Sequence, residues 1–334
     1  MQQKTSLVTG GAGFIGSHVV QHLINMNHKV VVLDDLSGGF IENIHADAEF
    51  CKGSITDEFL VNGLFEEYRF DYVFHLAAYA AEGLSHFIRK FNYQNNLIGS
   101  VNLINAAVNF NVKRFVFTSS IAVYGTNNLP FKEEQKPNPE DPYGIAKYAV
   151  EMDLKAAHDL FGLEYTIFRP HNVYGPHQNI GDRYRNVVGI VMNQLLKGED
   201  LTIFGDGEQS RAFSYIDDVA PYIALSAEME TTKNEIINIG GEVAYTVNQL
   251  AAEVKRVMKT SADLLHIPAR LEVEHAYSCQ LKMKRIFNPK PATELMHGLT
   301  AMAKWVEETG ARKSKDFERI EIKENLPESW RNNP

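Results

Sequence analysis

The sequence predicts an α/β protein: a doubly wound parallel sheet with a smaller C-terminal lobe. Three observations carry that prediction. From Thr5 to Arg169, short apolar runs alternate with segments whose apolar residues recur at helical spacing. The first run enters a glycine-rich turn, Gly10 to Gly16, that opens directly into a helical segment. After Gly181 the strict alternation lapses, as expected where a second lobe begins.

Thr5–Thr9 reads as the first strand, and Ser17–Asn25 as the helix after the turn, with Val19, Val20, Leu23 and Ile24 on one face. In Gly10-Gly11-Ala12-Gly13-Phe14-Ile15-Gly16, one glycine permits the tight turn and another lets the backbone approach a pyrophosphate. The third lets helix and strand pack closely, while the helix N-terminus offers N–H groups to an anion. Two glycine registers overlap here (Gly11/Gly13/Gly16 and Gly10/Gly13/Gly16), and a bare turn is the plainer reading. The second strand, Lys29–Asp34, decides between them. It ends in a carboxylate 18 residues beyond Gly16, where a Rossmann-type fold places the acid that meets the adenosine ribose hydroxyls. A carboxylate there repels a 2′-phosphate, and no arginine precedes Arg69, so the expected cofactor is NAD rather than NADP.

Glu49–Lys52, Asp71–Leu76, Lys113–Ser119 and Glu164–Arg169 continue the strands, with helical segments between most of them. Residues 1–170 are therefore expected to form the NAD-binding domain, and residues 171–334 mainly the second lobe, with 212–242 returning to the first. In the lobe, Asn186–Lys197 looks helical, Leu201–Phe204 reads as a strand before the turn Gly205-Asp206-Gly207, and Thr246–Met258 as an amphipathic helix. Ile236–Ile239 is the strand expected to rejoin the sheet. The polar end beyond about Arg312 is expected to be loosely held. Proline and glycine punctuation around Asn127–Tyr143 and Arg169–Gly181 marks loops above the strand ends, where such sheets bind ligands.

The net charge of −9 and the absence of a basic block argue against a nucleic-acid binder. An anionic ligand must then be held by a few placed arginines. Cys51 and Cys279 lack metal-ligand spacing, so no metal is expected and a reducing compartment is. No signal-like N-terminus and no run of 18 apolar residues is present, which reads as a cytoplasmic protein with no membrane partner.

Tyr143-Gly-Ile-Ala-Lys147 places a phenol and an ammonium on one face of a helix start. A nearby ammonium and a nicotinamide cation both stabilise phenolate, lowering the tyrosine pKa toward neutrality so that it can act as a general base. With 14 tyrosines in the chain, about one such spacing is expected by chance. The strand Lys113–Ser119 runs into Ser119-Ser120-Ile-Ala-Val-Tyr124-Gly125, whose hydroxyls could bond a reacting oxygen or merely cap a strand end. Serine, tyrosine and lysine following a dinucleotide fingerprint in one chain are much less expected by accident.

At this point the chain resembles the extended short-chain dehydrogenase/reductase family, and within it the NAD-dependent sugar-nucleotide 4-epimerases, from about Leu7 to Lys304. The motifs are Thr9-Gly-Gly-Ala-Gly-Phe-Ile-Gly16, His75-Leu-Ala-Ala78, Asn95-Asn96, Ser119-Ser120-Ile-Ala-Val-Tyr-Gly125, the Tyr143/Lys147 pair, Arg169-Pro-His-Asn-Val-Tyr-Gly-Pro176 and Phe204-Gly-Asp-Gly207. The resemblance implies Tyr143 as base, Lys147 as its partner and Ser120 as the hydroxyl orienting the sugar 4′-oxygen. It places Gly10, Gly13, Phe14, Ile15, Gly16, Asp34, Asp35, Ser54 and Ile55 on NAD, with the contact at Ser54 weaker or lost for want of the usual aspartate. Leu76, Ala77, Ala78, Asn95, Ser119, Tyr143, Lys147 and Pro170 follow along the rest of NAD.

The same resemblance puts Asn172 and Asn186 on a UDP-sugar, Leu201 to Phe204, with Thr202 and Phe204 among them, along its nucleobase pocket, and Arg211 and Arg270 on its diphosphate, where paired guanidiniums suit two phosphates. It implies that Tyr143 removes the 4′-hydroxyl proton while hydride passes to NAD+. The 4-keto sugar then turns and takes hydride back on its other face. A homodimer through the helices of Asn95–Asn109 and Tyr143–Leu160 is likewise implied.

Three features depart from the family pattern. Gly53-Ser54 stands where Gly-Asp is usual, and Cys279-Gln-Leu-Lys282 where an aspartate precedes Ser-Lys. The residue flanking the hexose 2-substituent is Tyr277 counted forward from Arg270, but Ala276 counted back from Cys279. Tyr277 implies a preference for UDP-glucose and UDP-galactose, and Ala276 would admit N-acetyl groups. Rivals of the same fold are epimerases of UDP-glucuronate or UDP-N-acetylhexosamines, nucleotide-sugar dehydratases and decarboxylases. A non-enzymatic NAD-binding sensor is disfavoured by the complete Ser/Tyr/Lys set. Arg183 and Arg185 could meet a uronate carboxylate, but solvated loop charges are the expectation.

Overall fold

Runs such as Val30-Val-Val-Leu33 and Phe115-Val-Phe117 are apolar on both sides of the strand, which suits a sheet covered on both faces. The computed structural model describes residues 3–269, 273–313, 317 and 319–331. The first half provides β1 (Thr5–Thr9), β2 (Lys29–Asp34), β3 (Glu49–Lys52), β4 (Tyr72–His75), β5 (Arg114–Thr118) and β6 (Tyr165–Pro170). The later strands are β7 (Val173–Tyr174), β8 (Leu201–Phe204), β9 (Ser210–Ala212), β10 (Ser214–Tyr215), β11 (Glu235–Ile239), β12 (Ala244–Thr246), β13 (Leu264–Ile267) and β14 (His275–Ala276). Helices of the first half are α1 (Phe14–Asn25), α2 (Glu58–Tyr68), α3 (Glu82–Ser85), α4 (Arg89–Tyr93), α5 (Gly99–Asn109) and α6 (Pro142–Phe161). Those that follow are α7 (Val187–Leu196), α8 (Ala220–Ser226), α9 (Val247–Val257), α10 (Leu281–Phe287), α11 (Leu295–Thr309) and α12 (Glu328–Arg331).

The central sheet is parallel, in the order β11-β6-β5-β4-β1-β2-β3. The order reverses between β1 and β4, which opens the crevice where doubly wound sheets hold their ligands. Alternate side chains feed two cores. Leu7, Val31, Leu33 and Phe115 pack against α2, α5 and α6, while Val8, Val30, Val32 and Phe74 pack against α1, α8 and α10. The chain crosses back after β10, so that α8 lies on α1 and β11 pairs with β6.

A third core of Val188, Ile203, Leu250 and Val306 joins α7, α9 and α11 to β8. Three small sheets complete this half: β8 with β13, β9 between β12 and β14, and β7 with β10. The strands expected at Asp71–Leu76 and Lys113–Ser119 are each one residue shorter at both ends.

One expectation fails outright. Among the described residues beyond Arg312, the stretch 319–331 is not loosely held, because Leu326 and Trp330 are buried against Leu84 and Ile88 with Phe317 and Ile320 beside them. Its scattered apolar residues, read one at a time, had shown no period.

Candidate active site

The turn after β1 tolerates no side chain at Gly10 or Gly16. Gly10 has φ of +72°, and a Cβ there would lie 2.7 Å from the Ala77 nitrogen. A Cβ on Gly16 would lie 2.1 Å from the Gly10 carbonyl oxygen. At the start of α1, Gly13 supplies no side-chain cap and the first turn holds no acid, which leaves its N–H groups for an anion. Asp34, at the end of β2, is 8% exposed and lines the same cavity. Its carboxylate accepts from the N–H of Ala12 at 3.0 Å and of Leu36 at 2.8 Å, with burial raising its pKa against them.

Gly13, Phe14, Ile15, Asp35, Ser54 and Ile55 line this end of the cavity. The Asp35 carboxylate is turned to the Ser37 N–H at 2.8 Å, and Ser54 Oγ to Thr56 Oγ1 at 2.9 Å. Leu76, Ala77, Ala78, Asn95 and Pro170 continue the wall, Asn95 from a π-helical segment, Gln94–Ile98, whose wider turn sits between α4 and α5. A cradle that a Cβ would fill, an uncapped helix start and a buried carboxylate on the second strand fit NAD.

Tyr143, Lys147 and Ser120 line the middle of the cavity. Their placement begins with Asp141, which caps α6 by accepting the Gly144 N–H at 2.9 Å, with Pro142 in the first turn. Four residues on, Lys147 Nζ lies 5.8 Å from the Tyr143 ring centre, donates to the Thr118 carbonyl at 2.9 Å, and stands 4.7 Å from the Phe117 ring. Ser120 hydrogen-bonds Tyr143 and accepts the Ala122 N–H at 3.1 Å.

The electrostatics depart from expectation. Burial raises the Tyr143 pKa, with Ser120 opposing it, and lowers that of Lys147 to about 7, with Glu151 opposing. The protein's own groups therefore do not bring the phenol toward neutrality, because desolvation, with Glu82 and Asp141, outweighs the Ser120 hydrogen bond and the Arg185 charge. A positive nicotinamide, when bound, would add to the Arg185 charge in lowering it.

Beneath these groups lies a buried brace that the sequence reading missed. Glu151, one turn past Lys147, accepts from Ser119 Oγ at 2.5 Å and from Arg169 at 3.0 and 2.5 Å. Arg169 stacks over the Tyr124 ring at 4.7 Å, and Tyr124 donates to Asn238 Oδ1 at 2.8 Å. Burial disfavours the Arg169 cation, but Glu151 more than offsets it and raises its pKa. The signal was an acid four residues after the lysine on an otherwise apolar helix face.

The opposite wall carries Asn172, Asn186, Thr202, Phe204 and Arg211, so the cavity, about 540 Å³, spans both halves of the chain. Asn172 (φ +42°) and Asn186 (φ +24°) both take backbone conformations disfavoured for most residues. The Arg211 guanidinium donates to the carbonyls of Ser210 and Glu274, at 2.9 and 2.8 Å, and to that of Val273. Arg270 lies outside the described residues.

Two sequence expectations are corrected. Tyr277 lines neither this cavity nor the adjoining one of about 90 Å³, whereas Ala276 lines the latter beside Ser120, Asn172 and Arg211. Ala276, the last residue of β14, pairs with Arg211 of β9, which lines both cavities, whereas Tyr277 lies beyond the strand. Arg185 is not a solvated loop charge. It lines the cavity, its Nε 2.8 Å from Asp182 and its guanidinium 4.3 Å from the Tyr79 ring centre, while Arg183 is exposed. Tyr79, Glu82, Gln178 and Tyr184 are further lining residues that no motif had marked.

Among the described residues, no cluster of three His, Cys, Asp or Glu side chains is arranged to hold a metal, and no helix is long and apolar enough to cross a membrane.

The chain is similar in sequence and fold to known proteins. The model described as the NAD dependent epimerase/dehydratase family matches residues 6–240. A UDP-glucose 4-epimerase of Lactobacillus helveticus is 32% identical over 316 residues, covering 90% of this chain and 96% of the relative. Among solved structures, a UDP-glucose 4-epimerase of Thermotoga maritima with UDP-glucose superposes with a TM-score of 0.87 at 38% identity, covering 91% of this chain and 99% of its own. A UDP-N-acetylglucosamine 4-epimerase of Methanobrevibacter ruminantium, in complex with UDP-N-acetylmuramic acid, gives 0.86 at 34% identity, covering 92% and 100%.

Proposed function

Because the chain belongs to the NAD-dependent epimerase/dehydratase family, we propose that it interconverts the C4 epimers of a UDP-hexose through a transient 4-keto sugar. One observation supports this above the others. Ser120, Tyr143 and Lys147 sit in a single cavity between the dinucleotide cradle and a second wall carrying Asn172, Asn186 and Arg211.

When bound, NAD+ supplies reversible hydride transfer. The chain's own residues do the rest. Tyr143 takes the proton of the 4′-hydroxyl, Ser120 orients that oxygen, and Lys147 supports the phenolate. The Thr118 carbonyl and the Phe117 ring hold the ammonium in place. Arg211 and Arg270 hold the diphosphate while the keto sugar presents its other face, and Tyr143 then returns the proton. Gly10, Gly16 and Asp34 hold the cofactor throughout. Exposed Ile145, Met152 and Phe161 on α6 support the homodimer.

The small side chain of Ala276 supports acceptance of N-acetylhexosamines alongside plain hexoses. The alternative, a uronate sugar, is favoured by Arg185, whose guanidinium lines the cavity. Incubation with UDP-galactose, UDP-N-acetylgalactosamine and UDP-glucuronate, resolved by NMR, separates the readings. Epimer formation without net cofactor reduction, abolished in Tyr143→Phe, is expected with the first two sugars. Turnover of UDP-glucuronate alone would replace this reading with the uronate one, and turnover of none would remove it.

A further inference from the structure

The segment 317–331 is polar in composition, yet its aromatic residues reach both walls of the cavity. Trp330 is 7% exposed and meets three rings edge to face: Tyr184 at 5.3 Å, Phe87 at 6.2 Å and Phe204 at 6.5 Å. Tyr184 and Phe204 line the cavity, while Trp330 stands behind them. Phe317 packs on Phe91 at 4.8 Å and on Tyr79 at 5.4 Å, two lining residues of the opposite wall.

The segment is pinned by its backbone and by one acid. The N–H groups of Glu321 and Ile322 both donate to the Phe87 carbonyl, at 2.8 and 3.2 Å. The Glu321 carboxylate accepts from the N–H groups of Lys90 and Phe91, at 2.7 and 2.9 Å, at the start of α4. A segment tied to the first half by Glu321 thus fixes two rings of the second.

We propose that Phe317 and residues 319–331 belong to the nucleotide end of the site, with Trp330 a positioning residue that holds Phe204 and Tyr184 ready for a nucleobase. This rests on the UDP-sugar reading. An aromatic wall that must order itself on binding costs rotamer freedom, and a wall already locked by edge-to-face contacts avoids that cost. Phe204 ends β8, which is held from one side by β13 alone. Trp330 supplies the lateral support that the two-stranded sheet lacks.

The test is calorimetric titration of the NAD-loaded protein with UDP, beside KM and kcat for the UDP-sugar, thermal midpoint and NAD content. Trp330→Ala is expected to weaken UDP binding about tenfold and to raise KM in parallel, with kcat changed less than about twofold and NAD content unchanged. Trp330→Phe is expected to recover most of the affinity. Phe204→Ala combined with Trp330→Ala should cost less than the sum of the two.

A merely structural strap would lower the thermal midpoint and leave the UDP dissociation constant alone, and that result overturns the proposal. Should Trp330→Ala fail to fold, Glu321→Gln loosens the anchor without touching a ring. Weaker UDP binding in that variant supports the proposal and unaltered binding rejects it. Wild-type protein that does not bind UDP would strike the substrate reading itself. Equal UDP binding by wild type and variants strikes only the role of the segment.

Discussion

Glu151 and Arg169 meet in a two-point ion pair, Nε to Oε1 at 3.0 Å and Nη2 to Oε2 at 2.5 Å, with each side chain 2% exposed. The pair joins the helix that carries Lys147 to the strand that ends in Pro170, and Ser119, next to Ser120, is hydrogen-bonded to it. Removing one member leaves the other charge buried without a partner. Glu151→Gln is therefore expected to cost about 3–5 kcal/mol in a denaturation midpoint. Glu151→Met with Arg169→Met should recover much of that, since both charges then leave together. A double variant as unstable as the sum of the two single ones would show that the pair is not coupled.

Lys147 is a base whose folded pKa, about 7, lies below its ordinary value of 10.5 because burial disfavours the cation. Below about pH 7 it is charged in both folded and unfolded chains, and the full burial penalty applies. Between pH 7 and 10.5 the unfolded chain binds a proton that the folded one does not, so this group makes stability rise with pH across that window. Lys147→Met should flatten the slope by an amount on the order of a few kcal/mol over the window. Unfolding midpoints at a series of pH values measure it, and identical slopes in both proteins would contradict the assignment.

Asp34 closes the second strand at 8% exposure, with both of its oxygens already accepting backbone N–H groups. A carboxylate so placed repels a 2′-phosphate. Asp34→Ser with Asp35→Arg should move preference toward NADP by about tenfold or more, since one charge contact is worth on the order of 1.5–3 kcal/mol. Equilibrium titration with each cofactor reports the ratio, and equal binding of NAD and NADP by the unmodified protein would refute the role given to this acid.

Ala276 lines the small cavity beside Ser120 and Asn172, and Tyr277 does not. Ala276→Tyr should lower kcat/KM for UDP-N-acetylgalactosamine about tenfold or more, an overpacking effect of 1–3 kcal/mol, while UDP-galactose is affected less. Tyr277→Ser should leave the ratio of the two sugars unchanged. A ratio that moves with Tyr277 instead would restore the register counted from the arginine.

The parallel sheet was legible in the chain because its causes are local. Each strand is a short apolar run, the glycine turn lies within a few residues, and the carboxylate of Asp34 stands at a set distance from it. The Tyr143–Lys147 spacing is local too, since one helical turn brings the two side chains to one face. Tertiary structure alone decided the rest. Glu151 and Arg169 are 18 residues apart and meet only because α6 packs against β6. Ala276 lines the small cavity where β14 pairs it with the lining residue Arg211 of β9, a choice the chain could not make by counting from either end. Arg185 turned into the cavity where Asp182 and Tyr79 receive it. Trp330 found its neighbours across more than a hundred residues of chain, in Tyr184 and Phe204. Periodicity and spacing report what a residue does within its own turn or strand. Long-range contacts depend on how elements pack, and that is settled only when the whole core closes.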